Sequence, residues 1–353
     1  MTRCRRTAVL ALVTAMLAAL GMLLPSPATA ASGTTTTGTF TRFTDAPIPY
    51  WLYVPASYTP GTPMPLVVYL HGCNQSVPDA ALGSRWNAVA ERKGLLVAYP
   101  EQATGAYPAQ PGNVSRCWNF DSPLEWSRTG AEPAGIAGVT QRVMATRTVA
   151  TDKVYVTGIS AGGAMASVMA GLYPDLYSAA GVLLGCSFPC GDATGTGAYQ
   201  AMGALRRPMP VFVAIGAADP AISVPVGEET VMQWLSTNDY VDDGLLNASV
   251  SQSPATLTQH GFDTLPQPGS GDPCVAPAGP TKLPCPGGAA GYQSYPYTVR
   301  TYNDATGHDL LDYWIIYGLS HAYPGGDPAA SFTDPAGPAV TEAVYDFFMS
   351  HPR

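Results

Sequence analysis

The apolar residues of this chain fall into two periodicities that alternate along its length. Residues 66–70, 95–99, 154–157, 182–184 and 211–215 are short, nearly continuous apolar runs. The first runs into His71-Gly72, the second ends at Pro100, and the others run into glycine, as strands buried in a parallel sheet do. Residues 50–54 read as an earlier strand. Between these runs lie segments with helical spacing. Residues 84–93 carry Trp86, Val89 and Ala90 on one face and stop at Gly94, and residues 136–150, 161–172, 224–235 and 336–348 follow the same period. Residues 297–302 and 311–317 predict a β-hairpin around Asp304-Ala305-Thr306-Gly307. Residues 101–133 and 237–296 read as irregular. Strands alternating with helices predict an α/β fold, a mostly parallel sheet with helices on both faces.

The N-terminus departs from this pattern. Arg3, Arg5 and Arg6 precede an apolar run over residues 8–24 that ends at Pro25 and Pro27, and Ala28-Thr29-Ala30 offers small residues for cleavage. Residues 1–30 are therefore expected to be a signal peptide rather than a membrane anchor. Cys4 precedes the apolar run, so it is not a lipid-attachment cysteine. Residues 31–49 read as a tail and first strand region, with the Ser/Thr/Gly-rich stretch 31–38 disordered, and residues 50–353 as a single domain. Without the three leader arginines, 17 − 3 = 14 basic residues face 25 acidic ones, with no basic cluster. That balance argues against nucleic acid and anionic membranes as partners. With 12% charged residues, 37 glycines and 34 prolines, the surface is weakly charged and rich in turns, which suits an uncharged or polymeric substrate.

Six cysteines remain after Cys4, an even number expected to form disulfides in an exported protein. Cys186/Cys190 and Cys274/Cys285 are the close pairs, which leaves Cys73 with Cys117. Zinc is the competing reading, but no pair has finger spacing and no histidine pair lies near, so no metal is expected.

Candidate chemistry centres on Gly158-Ile159-Ser160-Ala161-Gly162, a G-x-S-x-G sequence between an expected strand and an expected helix. Small residues flank such a serine because the turn is tight. The competing reading is an ordinary turn with a surface serine. A serine hydroxyl needs a base to become a nucleophile. Of His71, His260, His308, His321 and His351, only His321 sits in a glycine-rich loop just after a late strand, where this chain order places a base. The acid should lie between serine and histidine in sequence. Asp219 follows the run 211–215 through Gly216-Ala217-Ala218, whereas Asp175, Asp192, Asp242, Asp243, Asp263 and Asp304 lie in polar or turn-like surroundings. Two backbone N–H groups should hold the oxyanion: that of Ala161, after the nucleophile, and that of Cys73, after the first buried strand. His71 would orient this loop. A Cys73–Cys117 bond would bring Trp118 near the acyl pocket, the competing reading being a core tryptophan.

His71-Gly72-Cys73-Asn74-Gln75, Tyr99-Pro100-Glu101-Gln102, Cys117-Trp118-Asn119, Gly158-Ile159-Ser160-Ala161-Gly162-Gly163 and Gly318-Leu319-Ser320-His321-Ala322 together resemble the polyhydroxybutyrate depolymerase family of secreted esterases, which has feruloyl and acetylxylan esterase-like relatives. The resemblance runs from about Tyr50 to Phe348 and implies an α/β-hydrolase fold with Ser160, Asp219 and His321 as the triad. It departs at Ile215-Gly216-Ala217-Ala218-Asp219, where members often carry His-Gly before the acid, at Ala322-Tyr323 in place of Ala-Trp, and in a longer 237–296 segment. The expectation is a secreted, cofactor-independent serine esterase acting on polyhydroxybutyrate or related short-chain polyesters. An ester on plant cell-wall polysaccharide, feruloyl or acetyl, is the alternative, and a non-catalytic binding protein on a hydrolase scaffold is the alternative from another class.

Overall fold

A computed structural model of the chain describes residues 37–102, 113, 115–261 and 295–353. It begins with β1 (Thr39–Phe43), β2 (Tyr50–Val54) and β3 (Met64–Leu70), followed by α1 (Val77–Ser84), α2 (Trp86–Lys93) and β4 (Leu96–Pro100). Next come α3 (Ala131–Thr146), β5 (Val149–Ile159), α4 (Ala161–Leu172), β6 (Ala179–Leu183), α5 (Thr196–Met202) and β7 (Val211–Gly216). The remainder is α6 (Val224–Asp243), β8 (Thr256–His260), β9 (Tyr297–Asn303), β10 (Asp309–Ile316), the short β11 (Tyr323–Pro324) and β12 (Thr333–Asp334), and α7 (Val340–Ser350).

Among the described residues, ten strands form one sheet in the order β1-β2-β4-β3-β5-β6-β7-β10-β9-β8. The six from β4 to β10 run parallel, and antiparallel strands finish both edges. Alternate residues of the central strands feed two cores. Leu66, Val68 and Leu70 join Ile136 and Val139 of α3 and Met165 and Met169 of α4 on one face. Val67 and Tyr69 join Trp86 and Val89 of α2 and Val344 and Phe348 of α7 on the other. Because both faces are covered, the central strands read as continuous apolar runs rather than alternating ones.

The structure corrects several sequence-based bounds. The segment expected as one helix over 84–93 belongs to two helices. Arg85, in a left-handed conformation (φ 59°), ends α1 and begins α2. Ser76, Pro78 and Asp79 are the start signals of α1, and Ser76 Oγ accepts the Asp79 N–H at 3.4 Å. Residues expected to be helical up to 150 leave the helix at Thr146 and enter β5. α6 runs past residue 235 because its last turns bury polar side chains, a face that apolar periodicity does not register. Asn238, for instance, accepts the Met209 N–H at 2.7 Å and donates to the Met209 carbonyl at 3.0 Å. Within the segment read as irregular, β8 adds an exposed edge strand. Among the described residues, no helix is long and apolar enough to cross a membrane.

Candidate active site

The residues singled out by sequence converge at the carboxyl edge of the parallel strands, where open α/β sheets place their sites. Ser160 stands between β5 and α4 at φ 58°, ψ −126°, a positive-φ conformation rare for a residue with a side chain. Its N–H donates to Leu183 O at the end of β6 at 2.9 Å and its carbonyl accepts from Ala164 N of α4 at 2.9 Å, so β6 and α4 hold the turn. The flanking glycines follow from sterics. A Cβ on Gly158 would lie 2.4 Å from Leu70 O, and one on Gly162 would lie 2.1 Å from Leu70 O and 2.5 Å from His71 O. The start of α4 is therefore pressed against the end of β3, which brings Ser160 beside the loop that follows β3.

Asp219 leaves β7 through a segment pinned to the histidine loop. Ala217 N donates to Ile316 O at 2.9 Å and Ala218 N to Leu319 O at 3.0 Å. Gly216 permits this approach, since a Cβ there would lie 2.4 Å from Leu319 O. The Asp219 side chain is fully buried, and one of its oxygens, Oδ1, accepts the N–H groups of Ala221 and Ile222 at 2.8 and 2.9 Å. The other, Oδ2, lies 2.7 Å from His321 Nδ1, and His321 Nε2 lies 2.8 Å from Ser160 Oγ. Three groups separated by 161 and 102 positions in sequence thus form one continuous line of hydrogen bonds. The arrangement can take a proton from the serine hydroxyl and stabilise the resulting imidazolium.

The other candidates lie elsewhere. Asp175 pairs with Arg128 at 2.6 Å, Asp192 accepts the Thr194 and Gly197 N–H groups, and Asp304 organises the β9–β10 turn with Thr306 and His308. Asp242 and Asp243 end α6. Asp263 lies outside the described residues. His260 stacks on Tyr297, and His351 at the end of α7 contacts the Phe347 and Asp309 carbonyls.

Beside Ser160 is a cavity of about 130 Å³ lined by Gly72, Cys73, Asn74, Gln75, Ile159, His321 and Phe332. Among the described residues, the N–H groups of Cys73 and Ala161 donate to no internal acceptor. His71 is buried, and its Nε2 accepts the Gln102 N–H at 3.1 Å while Nδ1–H donates to Gly72 O at 2.8 Å. Burial lowers its pKa to about 4, so the ring is neutral and acts as a brace for the loop. Gln75 Oε1 accepts the Gly72 N–H at 2.9 Å from the other side.

Cys73 and Cys117 are disulfide-bonded, as are Cys186 and Cys190, while Cys274 and Cys285 lie outside the described residues. The bond draws the 117–119 segment behind the Cys73 loop, which settles Trp118 differently from its expected place near the acyl pocket. At 2% exposure it packs against the His71 ring and donates from Nε1 to His71 O at 3.1 Å, supporting the loop from the core side. Behind it, Glu132 accepts the Asn119 N–H at 2.7 Å and bonds the Gln102 side chain, and burial raises its pKa to about 7. The sequence reading missed the bracing role of Gln75, although it lies in the quoted His71–Gln75 motif. It also missed Glu132 and Phe332, which no motif marks.

A parallel sheet with a strand–serine–helix turn, a histidine and a buried carboxylate at its carboxyl edge defines the α/β-hydrolase class. The chain belongs to the esterase PHB depolymerase family, whose model matches residues 48–243. It is 27% identical over 270 residues to a poly(3-hydroxyalkanoate) depolymerase C of Paucimonas lemoignei, covering 74% of this chain and 55% of that protein. It is 29% identical over 141 residues to a feruloyl esterase B of Neurospora crassa, covering 40% and 44%. The chain thus spans about half the length of the relatives it matches. An acetyl xylan esterase structure from Aspergillus awamori superposes with a TM-score of 0.60 at 19% identity, over 89% of this chain and 100% of that one, a likeness of fold.

Proposed function

We propose that this chain is a secreted serine esterase that hydrolyses carboxylic esters through an acyl-enzyme. The leader pattern over residues 1–30 supports export, with residues 50–353 as one catalytic domain. The observation that carries the reading is the Asp219–His321–Ser160 line of hydrogen bonds beside a cavity that Ser160, His321 and Cys73 line. Ser160 Oγ attacks the ester carbonyl carbon while its proton passes to His321 Nε2. The charge on the carbonyl oxygen is held by the Cys73 and Ala161 N–H groups. The bond to the alcohol oxygen then breaks as His321 returns the proton to it. A water attacks the acyl carbon in the same way, releasing the acid and restoring Ser160. Asp219 keeps the Nδ1–H tautomer of His321 throughout.

The size of the cavity supports a short-chain substrate. About 130 Å³ lies below the roughly 300–1,000 Å³ that encloses a drug-sized ligand, so the site suits a short acyl group. Polyhydroxybutyrate and its oligomers offer such a group, and the depolymerase relative supports them. The feruloyl esterase relative supports the second reading, an ester on plant cell-wall polysaccharide. The test is a panel of amorphous polyhydroxybutyrate, methyl ferulate and acetylated xylan with wild type and Ser160→Ala. Release of hydroxybutyrate by wild type and less than about a thousandth of it by Ser160→Ala is expected, since losing a triad serine costs about 10⁶ in rate. Turnover of methyl ferulate alone overturns the polyester reading, and turnover of nothing overturns the esterase.

A further inference from the structure

Phe332 is an outlier on three independent counts. It is 46% exposed and belongs to neither core cluster. Its backbone lies at φ 53°, a conformation that a bulky L-residue takes only under constraint. And it lines the same cavity as Ser160, His321 and Cys73. An aromatic side chain held half in water on a disfavoured backbone contributes little to the core, so its position needs another explanation.

The constraint that holds it is visible on both sides. Phe332 O accepts the Tyr323 N–H at 2.7 Å, and the next residue, Thr333, pairs with Tyr323 in the β11–β12 ladder. The preceding residue, Ser331, donates its N–H to Asp79 Oδ1 of α1 at 3.0 Å. Its carbonyl accepts from Gln75 Nε2 at 3.3 Å. Gln75 is the side chain whose other amide atom holds the Gly72 N–H. One glutamine therefore sets the Phe332 segment in register with the loop that presents the Cys73 N–H. The backbone that carries the ring is thereby held beside the Cys73 loop.

We infer that Phe332 is the specificity-determining residue of this site, its ring forming the wall that limits the acyl group beside Ser160 to a few carbons. The inference rests on the esterase reading and extends it to substrate choice. Short acyl units such as acetyl and hydroxybutyryl fit inside the wall, while long aliphatic or aromatic acyl groups meet the ring. Removing it opens the cavity outward, because the ring is itself half exposed.

The experiment measures kcat/KM for p-nitrophenyl acetate, butyrate and octanoate with wild type, Phe332→Ala, Phe332→Gly and Phe332→Trp. Glycine suits the positive φ, so Phe332→Gly removes the ring without adding backbone strain. The octanoate-to-acetate ratio should rise at least about tenfold in the alanine and glycine variants, the range a few methylenes command in an apolar pocket. The butyrate-to-acetate ratio should fall in Phe332→Trp, which also serves if the smaller variants fail to fold. Ratios that stay within about threefold of wild type in folded variants overturn the inference and leave the esterase standing. A wild type that cleaves no ester in the series overturns the esterase reading, and the inference with it.

Discussion

Replacing Asp219 by asparagine isolates the part of the site that sequence could argue least directly. The side chain has three hydrogen bonds to keep: one oxygen accepts the Ala221 and Ile222 N–H groups, and the other faces His321 Nδ1. Asparagine has one acceptor and one donor end, so it cannot keep all three. With its NH₂ toward the backbone, two part-buried N–H groups lose their acceptor and meet another donor, at up to about 1–3 kcal/mol each. With its oxygen toward the backbone, those two bonds survive and the conflict moves to His321. The second orientation wins. The NH₂ group then faces Nδ1, which must present a lone pair, so the imidazole proton moves to Nε2 and points at Ser160 Oγ. The serine keeps a hydrogen bond but loses its base. The expected result is a fall of about 10⁴ in kcat/KM for p-nitrophenyl butyrate. Thermal unfolding should change little, because the two backbone bonds remain. An Asp219→Asn protein within about tenfold of wild type refutes the assignment, and Asp192→Asn is the comparison that shows whether another carboxylate serves.

Three further outcomes follow from the same contacts. In Gly162→Ala the new Cβ must retreat by at least 3.0 − 2.1 = 0.9 Å from Leu70 O, displacing the start of α4. A loss of about 10² in kcat/KM and about 1–3 kcal/mol in stability is expected, and full activity by the same ester assay would show that the turn tolerates a side chain. The Cys73→Ser/Cys117→Ser double variant opens a 44-residue loop, for which chain entropy gives about 4 kcal/mol of destabilisation. It should also lower kcat/KM through a looser Cys73 N–H; unchanged unfolding, or a native Cys73 open to alkylation, counts against the bond. Glu132, raised by burial from 4.5 to about 7, is protonated more readily in the folded than in the unfolded chain. Its contribution is therefore fully present below about pH 4.5 and lost as pH rises through about 7, on the order of 3 kcal/mol in all. Urea unfolding of wild type against Glu132→Gln should show the variant gaining relative stability across that window; a difference independent of pH refutes the assignment.

What the sequence determined by itself was whatever short-range sterics and periodicity carry. The apolar runs declare a sheet covered on both faces because each strand needs apolar residues on both sides. Gly158, Gly162 and Gly163 mark the turn at Ser160 because a Cβ at any of them would strike the backbone of β3, α4 or the end of β6. The tertiary structure decided the rest, because the rest depends on which distant segments face each other and what they shield from water. Asp219 stands apart from the other aspartates through the loops that bury it against His321, 102 positions away. Trp118 lies in a conspicuous motif, yet its bond puts it behind the Cys73 loop rather than in the pocket. The buried polar face of α6 is silent in a hydrophobic pattern, since its partners come from other elements. Phe332 is one phenylalanine in a loop of small and polar residues until Gln75, Asp79 and Tyr323 set it beside Ser160. Long-range hydrogen bonds and burial have no local period, so only the folded chain reveals them.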